Sequence, residues 1–334
     1  TTQRCLLFWS YRSAANGVVK KTVMKQIIPI VLLLITVQKA KGQTDIDAIM
    51  MEKNALCIGP MYSYSSWNNY WEGTKKRINE NLGTVSTTQF SVMGNYGISQ
   101  KLNLLFSVPY VITKASAGQL RGMQGVQDLS VMVKFRPINQ KLGYGRLAVF
   151  GIAGASTPLS NYVADYLPLS IGLRSRTAMM RLMVDYYYNN KWFVTASGTY
   201  TYRGNIGIDR NGYYTTELVL SDEVFMPNVA TANLRAGYRT QYLIAELVLN
   251  NMTTLGGFDI TSNNMPFPSN RMNASTIGAN FKYVFRKADH VSLTGGAHQV
   301  FAGRNMGQSL SLNFGLFYVI NTGKKETAST QDSK

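Results

Sequence analysis

The chain has 334 residues, a formal net charge of +17 at pH 7 and a 45% hydrophobic content. That length allows one large domain or two ordinary ones, and no stretch is apolar over the roughly 20 residues that a mature membrane-spanning helix needs. No basic helix, RNP-type aromatic motif or zinc-finger spacing accompanies the positive charge, so nucleic acid is not an expected partner.

The first feature in chain order is a short apolar run, Ile27 to Val37. Met24 and Lys25 precede it, and Ala40-Lys41-Gly42-Gln43 follows. A charged start, a short apolar body and small residues before a cut describe a secretory leader. We expect Met24 to be the true start, residues 24–42 to be the signal peptide and residues 1–23 to be an upstream extension. The alternative, a buried helix or membrane anchor, is disfavoured because the run is short for a span. Residues 1–42 hold about seven basic residues and no acidic one, which leaves a mature charge near +10. That charge suits anionic lipid or lipopolysaccharide headgroups. Residues 43–55 read as a periplasmic N-terminal segment. Cys57 is the only cysteine beyond the leader, so no internal disulfide is expected and it reads as a small apolar strand residue.

From there, alternation with period two takes over. Strands are expected near 56–66, 86–99, 102–113, 126–137, 146–156, 177–188, 192–203, 228–239, 242–252, 275–286, 291–302 and 309–320. The Met-rich start of 177–188 could also be helical, and the small residues of 146–156 blur its pattern. Elsewhere one face is consistently apolar. Phe90, Val92 and Tyr96 share a face, then Leu102, Leu104, Phe106, Val108, Tyr110 and Ile112. Leu129, Val131, Val133 and Phe135 follow, then Trp192, Val194, Ala196, Tyr200 and Tyr202, then Leu243, Ala245, Leu247 and Leu249. The last two strands are the clearest: Ile277, Ala279, Phe281, Tyr283 and Phe285 oppose Asn280 and Lys282, and Leu310, Leu312, Phe314 and Leu316 oppose Ser311 and Asn313. Successive strand side chains point to opposite faces. About ten alternating residues cross a bilayer at a steep tilt. A soluble sandwich would need a second apolar layer over these faces, and no helix-patterned segment supplies one.

The connections alternate between hairpin-short and long. Gln100-Lys101, 189–191, Thr240-Gln241 and 287–290 are short and 138–145 is somewhat longer, whereas 67–85, 114–125, 157–176, 204–227 and 253–274 are long and polar. Outer-membrane barrels have tight periplasmic turns and long outer loops. The expected fold is therefore an all-β, transmembrane, antiparallel up-and-down barrel of about twelve strands over 56–320, with 321–334 as a polar periplasmic tail.

The opposite face would line the lumen. Its charged members are Asp128, Lys134, Arg136, Arg181, Asp185, Arg203, Arg235, Arg239, Glu246, Lys282 and Arg286. An excess of positive charge there favours anionic solutes. Paired charges filling a narrow barrel are the equal alternative. In the long loops, Trp67, Trp71, Phe258, Asp259 and Phe267 are candidates for a ligand gate, with loop packing as the plainer reading.

An enzyme is not expected. No Gly-x-Ser-x-Gly elbow, His-Glu-x-x-His motif or paired-cysteine metal site occurs. His298 lies mid-strand with Val300, not a serine, two positions on. No cofactor and no metal are called for, and the sequence sets no oligomeric state.

Residues 125–136 read Gly-Val-Gln-Asp-Leu-Ser-Val-Met-Val-Lys-Phe-Arg. This resembles the Gly-x-x-Asp-Leu-x-x-x-x-Lys-Tyr-Arg strand of the outer-membrane barrel family named for the MetA pathway of phenol degradation. Gly125, Asp128, Leu129, Lys134, Phe135 and Arg136 carry the match, and the strand ending Ser107-Val108-Pro109-Tyr110 looks like the family's preceding hairpin. The loops at 67–84 and 256–270 look more like those of uncharacterised Bacteroidota-type barrels. The resemblance implies an outer-membrane barrel that moves small hydrophobic or aromatic molecules. Outer-membrane lipid, lipopolysaccharide and a small-molecule solute are the expected partners. The expected function is a channel or facilitated transporter for small solutes, with a non-transporting surface-binding or structural barrel as the alternative.

Overall fold

The computed structural model describes Thr44, residues 46–260 and residues 266–322. The expectations for 1–23, for the leader at 24–42 and for the tail beyond 322 lie outside the described residues. Twelve long strands make the architecture: β1 (Ala55–Trp67), β2 (Val85–Gly97), β3 (Leu102–Ala115), β4 (Asp128–Leu142), β5 (Gly145–Pro158) and β6 (Thr177–Tyr188), then β7 (Trp192–Arg203), β8 (Asn228–Arg239), β9 (Leu243–Leu255), β10 (Asn273–Phe285), β11 (Ala288–Arg304) and β12 (Leu310–Asn321). Each pairs antiparallel with its chain neighbour, and β1 pairs with both β2 and β12, which closes the sheet into a barrel. A short strand, Gln124–Val126, pairs with Tyr110–Ile112 of β3 beside the start of β4. No helix occurs among the described residues. The Met-rich segment 177–188 and the small-residue segment 146–156 are both strands, because pairing on both edges outweighs local propensity.

The alternation resolves as the sequence implies. Leu310, Leu312, Phe314 and Leu316 are exposed on the outside, while Phe317 and Val319 are buried inside. Ile277 and Phe281 point out, and Lys282 and Val284 point in. The exterior is an apolar band too large for water to tolerate on a soluble monomer. Aromatic side chains mark its edges, and Trp192 meets Tyr238 at 5.4 Å near the short-turn end.

All the tight turns gather at one end and the long loops at the other. In the three-residue turn 189–191, Asn189 and Asn190 both take positive φ, 48° and 53°, a backbone region that asparagine tolerates. At the other end the loops form small ribbons of their own, such as Asn69–Glu72 against Lys75–Ile78. Replacing outward Leu249 by arginine should cost about 2–4 kcal/mol in reversible folding into phospholipid vesicles, where a charge at mid-depth has no partner.

Candidate functional site

The lumen is occupied by the chain's own N-terminal segment. Lys134 of β4 points inward with a side chain that is 0% exposed, and its Nζ donates to the Thr44 carbonyl at 3.3 Å and to Asp47 Oδ1 at 3.2 Å. It also donates to the Asp47 carbonyl. Asp47 in turn accepts from the Thr44 and Ile49 backbone N–H groups at 2.6 and 3.1 Å. Burial raises the Asp47 carboxyl, but Lys134, these N–H groups and Lys282 outweigh it and hold the group below the usual carboxylate range. Beyond the ion pair, Ala48 and Met50 pack on Ala148, Phe150, Ile152 and Met183 of the inner wall. Met51 packs on Cys57, Val284 and Phe317. The segment thereby lies inside the barrel. Gly97 permits the entry, since a Cβ there would lie 2.0 Å from the Glu52 carbonyl oxygen.

Two ion pairs hold four of the remaining lumen charges. Arg235 meets Glu246 at 2.8 Å, and both are buried. Glu246 also accepts from Asn280 at 2.9 Å, and Asn280 meets His298 Nε2 at 2.8 Å. Arg239 forks onto Asp185 at 3.1 and 3.2 Å and lies 3.9 Å over the Phe193 ring. Arg181 donates to Thr199 at 2.8 Å, Arg136 donates to the Gln100 carbonyl at 3.1 Å, and Arg286 sits over Tyr242. Asp128 accepts from Tyr162 of the 159–176 loop at 2.7 Å. Arg203 ends β7 at the long-loop mouth. Of the lumen-side residues read from the sequence, Lys134 holds Asp47, and Arg235, Glu246 and Lys282 line a cavity beside that carboxylate. This cavity of about 270 Å³ lies between segment and wall, lined by Asp47, Glu246, Lys282 and His298 on one side and by Met61, Met93 and Phe317 on the other.

At the long-loop mouth the loops interlock. Asn305 is the node. Its Oδ1 accepts from the Gly73 and Ile260 N–H groups at 2.7 and 3.0 Å, and its Nδ2 donates to Asp259 Oδ1 at 2.6 Å and to the Arg271 carbonyl at 2.7 Å. Arg304 forks onto the same Asp259 at 2.8 and 2.6 Å. Trp71 is buried against Ala274 and Val300. Trp67 packs beside Leu82, Val85 and Leu169. Phe258 and Phe267 join Ile206, Val224 and Met226, with Tyr213 stacked on Phe267 at 5.2 Å. The four aromatic gate candidates thus sit in three separate apolar loop clusters, and Asp259 sits apart from them in the Asn305–Arg304 node. Among the described residues no group of three or more His, Cys, Asp and Glu side chains is placed to hold a metal. Sequence reasoning missed Asp47, Asn305 and Arg304. The alternating Ile46, Ala48 and Met50 beside Asp47 is a signal too short to read alone.

No family model matches the chain, and no curated protein matches it. Among solved structures it is similar to an outer membrane channel from Pseudomonas putida F1, at 15% identity and TM-score 0.66, over 84% of this chain and 100% of that one. It is also similar to the translocator domain of autotransporter NalP from Neisseria meningitidis, at 9% identity and TM-score 0.42, over 90% of this chain and 95% of that one. A third similarity, at 11% identity and TM-score 0.43 over 83% and 93%, is to the transport unit of autotransporter AIDA-I from Escherichia coli. The first establishes the barrel fold as a shared one.

Two outcomes follow from these contacts. Lys134→Met leaves Asp47 inside the barrel without its cation, a loss of about 3–5 kcal/mol for a buried pair. The segment should then leave the lumen, and a cysteine at Met50 should react with a soluble maleimide much faster than in the parent while the barrel stays folded. The second outcome concerns pH. Hydrogen bonding from Arg304 holds the half-exposed Asp259 carboxyl below its ordinary 3.8. A carboxyl with a depressed folded pKa stabilises above its unfolded value and loses that contribution as pH falls through the folded one. Hydrogen-exchange protection in the 256–260 and 305–309 loops, taken relative to the intrinsic rate at each pH, should therefore be high at neutral pH and fall only below about pH 4, with Asp259→Asn abolishing the transition.

Proposed function

We propose that this chain is an outer-membrane channel or facilitated transporter for small solutes, closed at rest by its own N-terminal segment. The observation that carries the reading is the seating of residues 46–51 in the lumen on Lys134. A twelve-stranded barrel lies between the side-chain-filled eight-stranded kind and the wide channels of sixteen strands or more. Its interior has room for a narrow path or for a short peptide segment. The apolar exterior and its aromatic edges support residence in lipid, and the fold likeness to the Pseudomonas putida outer membrane channel supports the same compartment. On this reading the short-turn end faces the periplasm, residues 24–42 are the export leader, and Gly125 to Arg136 marks the phenol-degradation-named family.

The residual cavity suits a small solute with an anionic or aromatic group. Lys282 and His298 offer a polar wall, and Met61, Met93 and Phe317 offer a greasy one. The alternative, a non-transporting surface-binding or structural barrel, draws on the interlocked outer loops. Liposome swelling with small acids, sugars and aromatics separates the two. The intact chain should admit solute slowly, and deletion of 44–54 should raise the rate several-fold. Equal impermeability of both proteins would leave the non-transporting reading, and cation preference in planar-bilayer reversal potentials would remove the anionic assignment.

A further inference from the structure

Strand β4 outruns its neighbour. β3 pairs with β4 only from Ser107↔Ser130 to Leu102↔Phe135, and the last contact is Arg136 N–H to the Lys101 carbonyl at 2.9 Å. Residues 137–142 continue as a strand with β5 on one side, from Ile138↔Val149 to Leu142↔Gly145. Among the described residues no strand pairs with the other side. In a two-residue hairpin the closing pair, here Leu142 and Gly145, exchanges hydrogen bonds with each other. Gln140 and Ile138 then also bond toward β5, while Asn139 and Lys141 aim their N–H and C=O groups at the open side. A row of such groups is a template for one more strand.

The surroundings choose the occupant. Lys101, Arg136, Lys141 and Arg146 flank the edge, and no acidic residue occurs between Asp128 and Asp165. Ile138, Leu142 and the tip residue Tyr144 are 41%, 51% and 87% exposed. The edge also carries a bulge after Phe135 and a proline at 137, devices that discourage indiscriminate pairing. A second copy would set lysine and arginine against the same cations. We propose that the open edge of β4, over 137–142, is a docking site for an acidic, extended segment of a periplasmic protein, which adds a strand to the barrel wall at its short-turn end. The proposal rests on the reading of that end as periplasmic. Anionic lipid headgroups could meet the same cations but cannot complete a backbone ladder.

The test uses the full chain in zwitterionic detergent micelles and fluorescent peptides of alternating valine and glutamate, read by anisotropy. Saturable binding is expected, weakened about tenfold or more by valine–lysine replacement, by N-methylation of the peptide backbone, or by Asn139→Pro. That proline removes one outward N–H and leaves the β5 ladder intact, and retained heat-modifiable migration on a gel verifies the fold. Absence of binding, or equal binding of the N-methylated peptide, overturns the proposal, the latter pointing to plain charge attraction of the kind a lipid surface would also satisfy. Topology is checked separately with Tyr144→Cys and a membrane-impermeant maleimide. Labelling only after the outer membrane is opened supports a periplasmic site. Labelling in intact cells overturns the orientation and the periplasmic partner together, whereas a failed peptide arm with correct topology overturns the docking site alone.

Discussion

Every backbone N–H and C=O that meets hydrocarbon must find a partner within the protein. Closure of β12 onto β1 meets that demand for the whole sheet. Once the ladder is closed, the chain has only one freedom left at each position, the choice of which side chain faces lipid and which faces inward. Leu249 and Phe281 follow from that choice on one side, Asn250 and Asn280 on the other. The departures from closure sit at the two mouths, where water can satisfy the backbone. Loops depart at one mouth and the overhang of β4 at the other.

Within the wall, electrostatics decides what fills the space. A lumen with only the cations read from the strands would repel itself and draw in anions. Carboxylates change that account locally. Asp185 and Glu246 each hold an arginine at hydrogen-bonding distance, and Asp47 brings a third negative charge from outside the strands to Lys134. The N-terminal segment is thus an electrostatic component of the lumen as well as an obstruction in it. Its apolar residues meet the few greasy inner positions, Phe150 and Met183, that a simple aqueous pore would not place there.

The wall was legible in the sequence because lipid and water make opposite demands at alternate positions, so Phe314 and Asn313 announce their sides without help from the rest of the chain. The ambiguous segment 177–188 shows the limit. Methionine is comfortable in helix and sheet alike, and only pairing with β5 and β7 settles it. The site was legible in its members but not in their partners. Lys134 stood out as a lumen cation, yet Asp47 lies 87 residues away in sequence. Asp259 and Trp71 stood out as loop residues, yet what they touch depends on Asn305 and Val300 across the mouth. Such contacts leave no local periodicity and no turn signature, so aromatic and acidic loop residues look the same whether they face a ligand or each other.

The amide of Asn305 ties its own loop to two others, 68–84 and 256–272, through one side chain. Surface loops of a barrel ordinarily vary independently, each free to lengthen or change charge without reference to the next. Here that independence is lost. A longer glutamine would misplace both ends of the amide, and an aspartate would set a second carboxylate against Asp259. Grafting or shortening any one of these loops therefore has to be compatible with its two neighbours, and the outer surface would have to diversify as a unit.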